Sequence, residues 1–251
     1  MNTNQFADQR VLVTGAASGI GRRIAEAFHA EGAEVIGLDV DSLPGETPFR
    51  LLALDLRVPG QIAAVCRHLQ QEWPRLDVLV NAAGVLRIAK LEATALADWQ
   101  TCLDVNVTGP FLLMQQWLPL FKRQRSGAII NVASNAAHVP RSGMAAYGAS
   151  KAALVSLSHC AGLELAPYGV RCNVVSPGST DTPMLRTMCG DTQGLQRLIH
   201  GMPEESKLGI PLGKLATVDD IAAAVLFLAS PSAGHITLQD LVIDGGATLA
   251  A

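Results

Sequence analysis

The chain has 251 residues, a formal net charge of −3, 16% charged residues and an apolar content of 49% with only 4% aromatics. That length fits one larger α/β domain, whose core must be built from Ala, Val, Leu and Ile and needs no metal or disulfide staple. No basic run offers a nucleic-acid footprint, and the longest apolar run, Ile221 to Ala229, falls far short of the ~18 residues of a membrane span. Nucleic-acid and membrane partners are therefore not expected.

The opening ten residues are polar and lead directly into a strand-like segment, which argues against a signal peptide. Cys66, Cys102, Cys160, Cys172 and Cys189 are scattered, odd in number and without a C-x-x-C pair, and the histidines lack ligand spacing. Reduced thiols, a cytoplasmic location and no metal site are expected.

In chain order, strand candidates are Val11–Val13, Glu34–Leu38, Leu51–Leu54, Val78–Val80, Ala128–Val132, Arg171–Val175 and Leu241–Ile243. Helical patterns begin near Gly19, Gly60, Leu96, Tyr147 and Val218, and another runs through Asn106–Arg123. Continuous apolar strands joined by crossover helices predict an α/β fold, a single doubly wound parallel sheet of the Rossmann type with about seven strands. Residues 185–211, with scattered Gly and Pro, read as an irregular lid or binding segment.

The first strand candidate runs into Thr14-Gly15-Ala16-Ala17-Ser18-Gly19-Ile20-Gly21 and then a helix. A glycine-rich turn at a helix N-terminus lets backbone N–H groups approach a dinucleotide pyrophosphate. The spacing is G-x-x-x-G-x-G, so the turn alone is a weak signal. Asp39, 18 residues beyond Gly21, strengthens it, because a carboxylate there accepts both adenosine ribose hydroxyls and repels a 2′-phosphate. Val40 follows, where an arginine would point to NADP. NAD is the cofactor expected.

Tyr147 and Lys151 stand four residues apart on a helical pattern and share one face. Moving a phenol from ~10 to ~7 takes about 4 kcal/mol, and an ammonium at ~5 Å supplies about 3 kcal/mol at an effective dielectric near 20. The pair predicts a phenol made acidic by its lysine, with an oxidised nicotinamide ring supplying the remainder and Tyr147 acting as general base. Ser134 follows the fifth strand candidate, at the carboxyl end where such sheets bind ligands.

These residues, with T-G-A-A-S-G-I-G, N-A-A-G, Y-G-A-S-K and P-G-S-T-D-T, resemble the short-chain dehydrogenase/reductase family over essentially the whole chain. The resemblance implies that Ser134 bonds the reacting oxygen, Tyr147 exchanges its proton, Lys151 binds the nicotinamide ribose and Asn106 holds a relay water. It further implies cofactor contacts from Gly15, Ser18, Gly19, Ile20 and Gly21, and from Asp39, Asp55 and Leu56. Asn81, Ala82 and Gly84 in N-A-A-G, and Pro177, Gly178, Thr180 and Thr182, complete that set. The chain departs from the commonest pattern in reading N-A-A-G rather than N-N-A-G and in carrying Thr180 after P-G-x.

A narrower resemblance within the family runs through L-V-N-A-A-G-V-L-R, A-A-H-V-P-R-S-G-M-A-A-Y-G-A-S-K and K-L-G-I-P-L-G-K. It implies a carboxylated cyclic diol as substrate, oxidised to a ketone that enolises to an aromatic catechol. Arg141 is the first candidate for the carboxylate, with Arg87 and Arg186 behind it and Met184 as an apolar wall, against the plainer reading of solvated arginines and ordinary packing. The apolar carboxy-terminal run Leu241 to Ala251 resembles the segment that family members bury between subunits, so a homotetramer is expected. A 3-oxoacyl-carrier-protein reductase, a cyclic or sugar alcohol dehydrogenase and a non-catalytic NAD-binding regulator remain as other readings.

Overall fold

The computed structural model describes residues 4–41 and 47–249. Strands β1 (Arg10–Thr14), β2 (Glu34–Asp39), β3 (Arg50–Ala53), β4 (Val78–Asn81), β5 (Gly127–Val132) and β6 (Val170–Pro177) join a seven-stranded sheet completed near the C-terminus. Helices α1 (Gly19–Ala30), α2 (Pro59–Glu72), α3 (Leu96–Leu103), α4 (Gly109–Gln124) and α5 (Ala145–Leu165) make the intervening crossovers. Beyond β6 come α6 (Pro183–Cys189), α7 (Thr192–His200), a hairpin of β7 (Gly201–Met202) and β8 (Lys207–Leu208), α8 (Val218–Ala229) and β9 (Asp240–Ile243).

The large sheet is parallel throughout, in the order β3-β2-β1-β4-β5-β6-β9. Each strand of the sequence reading is present, its ends displaced by one or two residues. Alternation along β1 divides the core: Val11 and Val13 face one side, and Leu12 faces the other. On the first side they meet Ile24 and Phe28 of α1 with Ile221, Val225 and Leu228 of α8. On the second, Leu12 joins Ile62 and Leu69 of α2, Trp117 and Phe121 of α4 and Leu165 of α5. With both faces covered, the strands read as unbroken aliphatic runs.

Two expectations need correction. The helical patterns from Leu96 and through Asn106–Arg123 form one continuous run, α3 passing into a π-helical turn at Asp104–Thr108 and then α4. The widened turn carries Asn106 inward, away from the periodicity of either neighbour. Residues 185–211 are not irregular either, since Gly190 and Gly201 end helices and the segment holds two helices and a hairpin. Pro183 opens α6, whose N-cap Thr182 accepts from the Leu185 N–H, and Gly190 ends it at φ 74°. Asp191 caps α7 by accepting from the Gly194 N–H, and Gly201 ends that helix at φ 94°.

Sheet order reverses direction between β1 and β4, so the loops leaving their carboxyl ends part and leave a crevice. That crevice is continuous with a cavity of about 430 Å³, within the usual range of small-molecule sites.

Candidate active site

The glycine turn forms one end of the cavity, with Gly15, Ser18, Gly19, Ile20 and Gly21 in its wall. Gly15 and Gly21 leave no room for a side chain. A Cβ on Gly21 would stand 2.2 Å from the Gly15 carbonyl oxygen, and one on Gly15 would meet Ala83 Cα at 2.8 Å. Gly15 also holds φ 71°, a left-handed conformation that costs glycine little. The N-cap Ser18 makes no side-chain capping bond, so the first-turn N–H groups of α1 are left for an anion. This bare cradle fits a pyrophosphate.

Asp39 ends β2 beside the turn, where its Oδ2 accepts the Ala17 N–H at 2.8 Å and its Oδ1 the Asp41 N–H at 3.1 Å. The carboxylate braces the loop and still lines the cavity. Leu56 and Asp55 border the same end. The Arg57 guanidinium grips Asp55 at 2.7–3.1 Å and holds its carboxyl below the usual carboxylate range.

At the middle of the cavity stand Ser134, just beyond β5, and Tyr147 and Lys151 on α5. Lys151 Nζ donates to the Val132 carbonyl at 2.8 Å and lies 5.8 Å from the centroid of the Tyr147 ring. The i, i+4 spacing therefore places the ammonium beside the phenol, as the helix requires. Its electrostatic consequence differs from the sequence expectation. Burial pushes the Tyr147 phenol above its ordinary value, with the Ser134 hydroxyl partly opposing by hydrogen bonding. Burial likewise pulls the Lys151 ammonium down to about 8. Desolvation penalises both charged forms, so the lysine does not by itself acidify the phenol.

Ala82 and Gly84 line the cavity after β4, and Pro177, Gly178, Thr180 and Thr182 line it after β6. The Thr14 hydroxyl accepts the N–H groups of Ala82 and Ala83, both at 3.0 Å, and fixes the N-A-A-G turn against β1. Asn81 does not join them. Its Nδ2 donates to Asn131 Oδ1 at 2.7 Å inside the sheet, and the side chain is fully buried away from the cavity wall. Alternation on β4 decides this, turning the residue before the loop into the core.

Asn106 is also absent from the wall. Its Oδ1 accepts the Val85 N–H at 2.9 Å, and its Nδ2 donates to the Val85 carbonyl at 3.0 Å and to Ser150 Oγ at 2.9 Å. Its amide thus clamps the loop after Gly84 to α5. A Cβ on Gly84 would stand 3.4 Å from both Asn106 Oδ1 and Lys151 Nζ, which shows how closely the three converge.

Of the arginines proposed for substrate, Arg141 lines the cavity half-buried, and burial lowers its pKa. Arg87 lines it too but is tied to Asp98 at 3.1 Å. Arg186 lies outside the wall, exposed and bidentate to Asp181 at 2.7 and 2.8 Å, because the face of α6 that bears it turns to solvent. Met184 and Met188 from the same helix do line the cavity, with Leu198 from α7. Lys207 of β8 lines it as well, and the sequence reading passed over it. Its signal was a lone cation between the polar E-E-S and the apolar L-G-I of the lid.

The family described as enoyl-(acyl carrier protein) reductase matches residues 15–248. The chain is 53% identical to a 2,3-dihydro-2,3-dihydroxybenzoate dehydrogenase of Escherichia coli (strain K12), over 98% of this chain and 99% of the relative. A 2,3-dihydro-2,3-dihydroxybenzoate dehydrogenase of Bacillus subtilis (strain 168) is 42% identical, with 99% of each chain covered. Among solved structures, a 3-ketoacyl-(acyl-carrier-protein) reductase from Brucella melitensis complexed with NADH superposes with a TM-score of 0.85 at 30% identity, covering 97% of this chain and 99% of the other. Likeness of that extent makes this chain a member of the short-chain dehydrogenase/reductase family.

Proposed function

We propose that the protein oxidises 2,3-dihydro-2,3-dihydroxybenzoate to 2,3-dihydroxybenzoate with NAD, a step that supplies catecholate siderophores. The observation carrying this reading is one cavity with Ser134, Tyr147 and Lys151 between a bare glycine cradle and Arg141, a cavity-lining cation with no ion-pair partner among the described residues. Relatives of 53% and 42% identity that bear the dihydrodiol name support the substrate. Asp39 supports NAD over NADP, since a 2′-phosphate would approach its carboxylate.

With its pyrophosphate on the glycine turn, a nicotinamide dinucleotide would present its ring beside Tyr147 and would supply the hydride acceptor and, when oxidised, a positive charge. Ser134 orients the reacting hydroxyl, and Tyr147 receives its proton as the adjacent C–H bond yields its electron pair. Lys151 keeps the phenol in place and favours its anion once that second charge is present. The ketone left behind shifts a ring proton to oxygen and becomes aromatic, which draws the oxidation forward. Met184, Met188 and Leu198 give the ring an apolar wall.

The protein is proposed to work as a homotetramer in the cytoplasm, where the free thiols of Cys66, Cys102 and Cys172 persist. Exposed Phe111, Leu163, Leu241 and Leu249 offer apolar surface for the assembly; Ala250 and Ala251 lie outside the described residues. Light scattering tests the assembly, and a monomer would contradict it.

Absorbance at the NADH band, followed with the dihydrodiol and a panel of cyclic alcohols, tests the reaction. Turnover with the dihydrodiol and NAD, and almost none with NADP, is the expected result. Reduction of NAD by cyclic alcohols generally, with the dihydrodiol ignored, would remove the substrate assignment.

A further inference from the structure

Five cationic side chains line the cavity. Three are engaged: Arg57 with Asp55, Arg87 with Asp98, and Lys151 with the Val132 carbonyl. Arg141 and Lys207 make no ion pair and no side-chain hydrogen bond among the described residues. They reach the cavity from different walls, Arg141 from the loop between β5 and α5, and Lys207 from β8 at the end of the lid segment.

Both are half-buried, and burial lowers both below their ordinary values. Both line the same cavity, and the Arg141 guanidinium pushes the Lys207 ammonium down further. Nearby acids offset them only in part, and neither forms an ion pair with them. Asp244, whose charge favours the Arg141 cation, accepts at Oδ2 from Asn135 and Thr248 and at Oδ1 from the Gly246 N–H. Glu205, felt by Lys207 alongside the Cys189 thiol, is exposed and 3.8 Å from Arg197. Two cations drawn partly out of water without a direct ion pair are unfavourable, and an anion between them relieves the repulsion and offsets the desolvation.

The geometry points to Lys207 as a second recognition group for the substrate carboxylate, meeting it from the lid opposite Arg141. This rests on the reading that the cavity takes a carboxylated ring diol. The planar fork of Arg141 suits both oxygens of a carboxylate, while the ammonium of Lys207 accepts a range of approach angles. Because one cation belongs to the body and the other to β8, a carboxylate held by both ties residues 183–211 to the sheet. Reading the acid and covering the ring then become a single event. An uncharged ring diol meets the same apolar wall but leaves the two cations facing each other.

The test uses Lys207→Met and Lys207→Arg in the full-length enzyme, with the carboxylated dihydrodiol and the corresponding uncharged benzene dihydrodiol as substrates. In K207M the ratio of kcat/KM for the acid to that for the uncharged diol should fall roughly tenfold to a hundredfold, mostly through KM, and K207R should recover most of it. Equal losses on both substrates, or an unchanged ratio, would overturn the assignment. Calorimetric binding of benzoate to the NADH complex supplies a readout independent of turnover, and should weaken by a similar factor in K207M. If the wild type ignores the dihydrodiol yet binds benzoate through Lys207, the proposed reaction falls and the anion seat stands. If it oxidises the dihydrodiol while benzoate binding is indifferent to Lys207, the reverse holds.

Discussion

The Lys151 ammonium donates to the Val132 carbonyl at 2.8 Å while standing 5.8 Å from the centre of the Tyr147 ring. Strand β5 therefore holds the lysine in place, and burial brings its pKa from the ordinary 10.5 to about 8. Between those values the unfolded chain binds more protons than the native one, so native stability rises with pH across that window. Relative to Lys151→Met, the wild type should gain up to ~3 kcal/mol between about pH 8 and 10.5. Denaturant midpoints at several pH values measure this, and parallel curves for the two proteins would refute it.

Tyr147→Phe removes the proton acceptor and leaves the glycine turn and Asp39 untouched. Turnover should fall roughly a hundredfold to ten-thousandfold while NADH binding by fluorescence persists. Full activity in this variant would end the proposed base role.

Asp39 both braces the turn, through the Ala17 N–H at 2.8 Å, and borders the cavity. Asp39→Ser should lower kcat/KM with NAD roughly tenfold to a hundredfold and narrow the preference over NADP. Equal proportional losses with both cofactors would leave only the bracing role.

Asn106 satisfies both backbone groups of Val85 and the Ser150 hydroxyl from a fully buried position. Truncation to alanine strands these polar groups and should cost roughly 3 kcal/mol in urea denaturation. A loss below about 1 kcal/mol would mean the clamp carries little.

Arg186 pairs with Asp181 at the surface, away from the cavity wall. Arg186→Ala should change KM for the carboxylated substrate by less than about twofold and stability by less than ~0.5 kcal/mol. A fivefold rise in KM would return this guanidinium to the substrate.

Seven strands were legible because each carries an aliphatic run set by its own residues, buried on both sides in the central strands and half-buried in the edge strands β3 and β9. The glycine turn, Asp39 at the end of β2 and the Tyr147–Lys151 pair on α5 were legible for the same reason: a few residues of spacing fix their relation. Side-chain direction was not legible where a neighbour from elsewhere in the chain decides it. Asn81 turns inward to meet Asn131 across the sheet, and a π-turn redirects Asn106 towards Val85 and Ser150.

By itself, then, the sequence determined the order of strands and helices, the glycine turn and the i, i+4 pairing of Tyr147 with Lys151, since local periodicity and backbone sterics act over a few residues. Only the tertiary structure decided which arginines face the cavity, that burial raises the Tyr147 phenol, and that Lys207 lines the same cavity as Arg141. Desolvation and charge–charge interaction depend on what packs around a group, and the chain settles that only when distant segments close on one another.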